Sequence, residues 1–420
     1  MPIPSDWSSS PLKHVTTVLN RGSAPDYVDD GPVRAVSQAA NQPSGLDWSR
    51  TRFHEFSGDP QKLKGYLHAG DVIINSTGTG TLGRVGQFMG SPDGIPCMAD
   101  GHVTIARADI RVLNPRFAYY WLSSKPFQEY VYAALVVGAT NQIELNRERL
   151  GEAPVPLPPL DEQRRIADFL DAETVRIELL LAKRRRMNGL LALRRERITE
   201  QVLGLGEGHG ARLVPLKYLV REVSVGIVVT PAKWYVDDGG VPALRGLNVQ
   251  PGRILAEDLV RISDSGNLEN RKSRLSAGDV VVVRTGQAGV AAVVPHELDG
   301  ANCIDLIIIR SGDALDPHYL TYVLNSDYAM REVGLNSVGS IQAHFNVGAM
   351  KQLPIPNVSR DEQVKKVALL DRRIGEMNAL SRRLAVQDRL LKERRQALIT
   401  AAVTGQLDVT TARPVHDRDL

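Results

Sequence analysis

Two stretches of the chain place apolar residues at steps of three and four. In the first, from Leu160 to about Val202, they fall at Ile166, Phe169, Ile177, Leu180, Met187, Leu191, Ile198 and Val202. In the second, from Arg360 to about Val403, they fall at Val364, Val367, Ile374, Met377, Leu384, Leu391 and Leu398. That spacing is the seam of a coiled coil. Neither stretch contains proline. Each follows a proline-rich run, begins at an aspartate suited to N-capping (Asp161 or Asp361) and ends at a glycine, Gly204 or Gly405. At about 1.5 Å per residue, roughly 40 residues make a rod of about 60 Å. A narrow seam on so long a rod needs a partner, and the other copy supplies one.

Outside these helices the pattern is that of short strands. Asp71–Asn75 and Asp279–Arg284 are apolar runs behind an Ala-Gly turn, and His102–Ala106 and Leu306–Ile309 read as further strands. Asn114-Pro115 and Asp316-Pro317 each supply an N-cap and an N1 proline. They open short helices through Tyr119–Leu122 and Tyr319–Tyr322. Extended runs, Pro154–Pro159 and Pro354–Pro356, lead into the long helices. There is no βαβ alternation, so the globular parts are α+β.

These elements form an internal repeat. Tyr27-Val-Asp-Asp-Gly31 returns as Tyr235-Val-Asp-Asp-Gly239, Gln42-Pro43 as Gln250-Pro251, and Ala69-Gly-Asp-Val72 as Ala277-Gly-Asp-Val280, all at an offset of 208. Leu113-Asn-Pro115 matches Leu315-Asp-Pro317 at 202, and Asp161-Glu-Gln163 matches Asp361-Glu-Gln363 at 200. Loop deletions produce such drift. The expected organisation is a globular half over 1–158, a long helix over 159–205, a second half over 206–358, a second helix over 359–405 and a tail over 406–420. The two halves are pseudo-symmetric, and the helices pack as an antiparallel coiled coil.

Composition adds bounds. The chain has 420 residues, 43% apolar and 24% charged, which is ordinary for a globular protein with two or three domains. No apolar run approaches membrane-spanning length, and the N-terminus lacks a basic-then-apolar signal pattern. Two cysteines, Cys97 and Cys303, sit in unrelated contexts, which fits a reducing cytoplasm and argues against a zinc cluster. The long helices carry +2 and +4 and the remainder −3, so DNA binding cannot be read from charge.

Several features together resemble the DNA-specificity subunit of type I restriction–modification enzymes. They are the two halves of one pattern, Pro-x-Pro then Asp-Glu-Gln opening each helix, and Lys392-Glu-Arg-Arg-Gln-Ala-Leu-Ile399 leading to Val403-Thr-Gly-Gln-Leu-Asp408. The similarity extends to about residue 408. The first helix departs at its end, where Leu203-Gly-Leu-Gly stands in place of Val-Thr-Gly. The resemblance implies that each half is a target recognition domain reading one half of a split double-stranded DNA target. It implies that the helices set the half-site separation and hold two methyltransferase (modification) subunits, with restriction (motor–nuclease) subunits joining for cleavage. It further implies a non-catalytic chain without a cofactor of its own, in a bacterial or archaeal cytoplasm and away from membranes. S-adenosylmethionine then belongs to the methyltransferase partner, and ATP and magnesium to the restriction partner.

Other motifs weaken on inspection. Gly78-Thr-Gly-Thr-Leu-Gly83 matches a dinucleotide fingerprint, but its repeat partner Gly286-Gln-Ala-Gly-Val-Ala291 lacks two of the glycines, and a strand is expected next. A tight turn presenting polar side chains fits better. Asn114-Pro-Arg-Phe117 resembles a methyltransferase motif, but its counterpart is Asp316-Pro-His-Tyr319, so helix capping explains both. Gly204 to Gly210 alternates glycine behind a helix, as a linker does. No lysine has an acidic residue two positions before it, and the histidines form no ligand pair at helical spacing. The runs Lys183–Arg186 and Arg194-Arg195 read first as a solvated, salt-paired helix face.

Reading base edges needs polar side chains on exposed loops. In the first half the candidates are Ser37, Gln38, Asn41, Asn75, Ser76, Thr77, Thr79, Arg84, Asn141 and Gln142. In the second they are Arg245, Asn248, Arg284, Thr285, Gln287, Gln342 and His344. Ordinary turn chemistry uses the same residue types.

If helix length sets the half-site separation, four residues inserted between Leu181 and Met187 add about 6 Å and nearly keep the apolar face. At about 3.4 Å per base pair the unread spacer should grow by about one or two base pairs, with both half-sequences unchanged. Two inserted residues turn the downstream helix by roughly 200° and should break the seam instead. Sequencing the methylated motif in cells carrying each variant with its partner subunits reads this out. An active four-residue variant with an unchanged spacer would show that the helices are not the ruler.

Overall fold

The computed structural model describes residues 4–78, 80–137, 144–205, 212–335 and 346–411. It divides into two compact units, Met1–Arg184 with Val386–Leu420, and Arg185–Ala385. Each holds one globular half and a segment of each long helix.

In the first unit an antiparallel sheet runs in the order Thr16–Arg21, Val103–Ala108, Val72–Asn75, Val85–Gln87. A second sheet runs Cys97–Ala99, Val33–Val36, Arg52–His54, Tyr27–Val28, and its first pair is parallel. Ser8–Pro11 pairs with Pro154–Leu157, so the proline run before the helix is itself a strand. The second unit repeats this plan. Its central sheet is Val220–Val225, Leu306–Ser311, Val280–Val283, Ala291–Val293. Its second sheet is Asn302–Cys303, Val241–Leu244, Val260–Ile262, Tyr235–Val236, and Leu213–Pro215 pairs with Pro354–Pro356. The sequence repeat is thus a repeat of the whole domain topology, in an α+β fold joined by two long helices.

The continuous apolar runs follow from burial on both faces of the central sheet. Alternate side chains of a strand point opposite ways. Val280 and Val282 enter the core shared with the short helix Pro317–Leu324, while Val281 and Val283 enter a separate core. In the first unit Val72 and Ile74 face the short helix Pro115–Ser123, and Ile73 faces Val36, Cys97 and Ala99 of the second sheet. Both short helices are capped as their sequences predict. Asn114 Oδ1 accepts from the amides of Arg116 and Phe117, and Asp316 Oδ1 from those of His318 and Tyr319.

The long helices span Leu160–Leu203 and Arg360–Val403. In the first unit Ile166 and Leu170 share a core with Ile399 and Val403, and Ile177 and Leu181 pack on Leu391. The two segments therefore run antiparallel. In the second unit Val202 and Leu203 share a core with Val367 and Leu370, and Lys366 Nζ donates to the Val202 carbonyl at 2.6 Å. Two expectations need correction. Met187 and Val364 are exposed, at 45% and 52%, while Leu170 and Leu181 are buried. A near-straight helix drifts by about 20° per heptad, so a strict 3.5-residue count leaves the interface. Asp161 and Asp361 lie inside the first turn, where they complement the helix dipole. The capping acceptors come earlier: the Pro159 carbonyl takes the amides of Glu162 and Gln163, and the Ser359 hydroxyl takes that of Glu362. Gly204 and Gly405 do close the helices, at φ 77° and 73°. The glycine-rich run beyond Leu205 and the tail from 412 lie outside the described residues.

The glutamine of each Asp-Glu-Gln motif is a buried bracket. Gln163 Oε1 accepts from the Asn114 amide at 2.7 Å, and its Nε2 donates to the carbonyls of Val112 and Pro158 at 3.0 and 2.9 Å. Gln363 repeats this with the Asp316 amide at 2.7 Å and the carbonyls of Ala314 and Val358 at 2.9 Å. Two turns later Tyr120 and Tyr322 each donate to an aspartate of the long helix, Asp171 and Asp371, at 2.6 Å. Burial first, then the neighbouring carboxylate, raises both phenol pKa values, so the hydroxyls remain donors. We predict that Gln363→Ala leaves three part-buried backbone groups without this partner and destabilises the junction by about 2–3 kcal/mol. Hydrogen exchange at the amides of His318–Leu320 should quicken by about thirtyfold or more, with Arg116–Ala118 in the other half unchanged. Equal protection in the variant and the parent would refute the bracket.

Candidate nucleic-acid interface

One end of the central sheet of the first half is a polar rim. The turn after Val33–Val36 meets the loop after Val72–Asn75 there through a chain of hydrogen bonds. Asn41 Nδ2 donates to Asn75 Oδ1 at 2.9 Å, and Asn75 Nδ2 to the Gln38 carbonyl at 3.1 Å. Thr77 Oγ1 donates to Gln38 Oε1 at 3.1 Å, and Arg84 Nη1 to the Asn41 carbonyl at 2.9 Å. Ser37 opens the tight turn that these bonds hold, its carbonyl taking the Ala40 amide. Glu144 bridges to Thr77, and the Leu145 amide donates to the Ser76 carbonyl at 2.9 Å. Gly78, Gly80 and Gly83 all take positive φ, and the strand Val85–Gln87 follows, as a turn rather than a phosphate cradle requires.

The candidates divide by exposure. Asn41, Asn75 and Ser76 are fully buried, and Ser76 Oγ is held by Thr104 Oγ1 at 2.5 Å. Gln38, Ser37, Thr77 and Arg84 are partly exposed. Thr79, Asn141 and Gln142 lie outside the described residues, as do Gln342 and His344 in the second half.

The second half builds its rim differently. Asn248 is buried, accepts from the Arg245 amide at 2.9 Å and donates to the Glu257 carbonyl at 3.2 Å. Arg245 stays partly exposed, and its Nη2 donates to the Asp258 carbonyl at 3.3 Å. Arg284 Nη1 and Thr285 Oγ1 both donate to Asp305, at 2.6 and 3.1 Å. Gln287 is exposed. A Cβ at Gly246 would lie 3.3 Å from Val283, so the 245–248 turn adjoins the Arg284 loop. The first rim is braced mainly by amide side chains, the second by the Arg284–Asp305 ion pair.

Two rim residues escape sequence reasoning. His102 and Asp305 each precede the strand that pairs at the rim, Val103–Ala108 or Leu306–Ser311. Thr77 Oγ1 lies 2.9 Å from His102 Nδ1. The available signal was the alignment of the two halves, which sets His102 against Asp305. Near this rim burial raises the pKa of Asp100, against the opposing pull of the His102 amide. Burial also pushes the Cys97 thiol up to about 11 and raises that of Cys303, so neither is a nucleophile at neutral pH. Among the described residues no three His, Cys, Asp or Glu side chains converge as a metal site needs, and no helix is long and apolar enough to cross a membrane.

Comparison with known proteins converges on one class. Residues 4–185 match the type I restriction modification DNA specificity domain. The StySPI type I restriction enzyme specificity subunit of Salmonella potsdam is 27% identical over 189 residues, 43% of this chain. The aligned stretch spans 40% of that protein's own length. Among solved structures, a chain from work on complex assembly and conformational transition of the type I R-M system superposes with a TM-score of 0.74. It is 20% identical, and the match covers 97% of this chain and 100% of that one. The HsdS subunit of Thermoanaerobacter tengcongensis gives a TM-score of 0.52 at 20% identity, over 97% and 99% of the two chains. Residues 4–185 thus resemble a type I restriction modification DNA specificity domain, and the chain shares the fold of these two solved structures.

Proposed function

We propose that each globular half reads one part of a split double-stranded DNA target through its polar rim, while the long helices scaffold two methyltransferase subunits and the restriction subunits. The observation that carries this reading is one domain topology built twice, with unlike side chains at the same rim. A repeat kept only for packing has no need to differ there. Partly exposed groups such as Gln38, Thr77, Arg84 and Arg245, and exposed Thr285, are suited to meet base edges. Buried Asn41, Asn75, Ser76 and Asn248 position the loops that carry them. The globular parts lack a strong positive charge, so much of the phosphate clamp falls to the partners. Adenine methylation with S-adenosylmethionine and ATP- and magnesium-dependent cleavage are the partners' chemistry in this reading.

Two outcomes follow. Exchanging residues 1–155 for the same region of a relative should change one half of the methylated sequence and leave the other; a change in both halves would end the modular reading. The isolated chain should neither methylate nor cut DNA, and robust activity in a preparation shown free of partner subunits would refute that.

A further inference from the structure

Residues 102 and 305 hold the same place in the two halves. Val103 pairs with Asn75, and Leu306 with Val283. Each rim residue sits one position before that pair, and a threonine sits two positions after its other member. Both threonine hydroxyls reach the rim residue: Thr77 lies 2.9 Å from His102 Nδ1, and Thr285 lies 3.1 Å from Asp305 Oδ2. The frame is shared and the side chain differs.

Counting protons shows what each position offers. Thr77 has one hydroxyl proton, and it points to Gln38 Oε1 at 3.1 Å. Toward His102 the hydroxyl oxygen can then only accept, so Nδ1 carries the hydrogen. In the neutral imidazole this leaves Nε2 as an acceptor on an exposed ring. Asp305 spends two acceptor sites, on Arg284 and Thr285, and its side chain is still 38% exposed. A carboxylate has about four such sites. Arg284 offsets a charge that DNA phosphates would otherwise repel. Asp305 also takes φ 50°, held by its own amide donating to the Ile227 carbonyl at 3.0 Å. Backbone in that region is sparsely populated and concentrates at working sites.

We propose that His102 and Asp305 are specificity-determining residues, each accepting a hydrogen bond from the exocyclic amino group of cytosine or adenine in its own half of the target. In the major groove those amino groups are the donors a base pair displays. This rests on the reading that the two halves recognise DNA, and the test separates the two claims.

The full chain, assembled with the methyltransferase subunits of its own system, is used to select from randomised duplexes, and the bound pool is sequenced. The parent should yield two specified blocks. His102→Ala should lower the preference at one base pair of one block about tenfold, and Asp305→Ala should do so in the other block. His102→Gln and Asp305→Asn keep an acceptor and should retain more of the preference; they decide the matter if an alanine variant fails to assemble. Unchanged preference, or a uniform fall for all sequences, would overturn the assignment and leave these residues as loop braces. No preference in the parent would overturn the recognition reading, and this inference with it.

Discussion

A buried amide fixes where each long helix leaves its domain. Gln163 and Gln363 each join three backbone segments: the loop before the short helix, the end of the proline run and the first turn of the long helix. Removing that side chain leaves three backbone groups at the junction without their partner, so the geometry is held by the cost of breaking these bonds. The tyrosine–aspartate bond two turns on gives a second fixed point on the same helix face. Two points set the rotation of the helix about its axis, and the apolar seam then meets its partner segment.

The bracket and the rim lie at opposite ends of one strand in the first half. Gly70, just before Val72–Asn75, sits against Pro115 beside the bracket, while Asn75 and Thr77 form the rim. A short strand, buried on both faces, therefore couples the position of the helix to that of the loops. The two rims solve loop support with different chemistry. Asn41 and Asn75 share neutral amide bonds, whereas Arg284, Thr285 and Asp305 form a charged triad. The same sheet plan thus carries unlike rims in the two halves.

Much of this was legible in the sequence because it rests on local chemistry. Long apolar periodicity without proline marked the helices, Asn114 and Asp316 marked the short-helix caps, and landmarks recurring at offsets that drift from 208 to 200 marked the repeat. What was missed depends on distant partners. Nothing local shows that Gln163 will meet Val112; the Ser359 cap, by contrast, was legible in Ser359-x-x-Glu362, which has the spacing of a capping box. Met187 and Val364 fit a strict heptad count yet fall outside the contact as the stripe rotates. Asn41, Asn75 and Asn248 have the side chains that read bases, and the same hydrogen-bonding capacity makes them good internal braces. His102 and Asp305 stood out only once strand pairing set the two halves side by side.

The proposed function gives one chain two independent readers of DNA. Sequencing the methylome of a host that expresses the complete system tests this most directly. The account predicts a single motif of two short specified blocks with an unread gap of constant length. One continuous block, or a gap that varies from site to site, would contradict it.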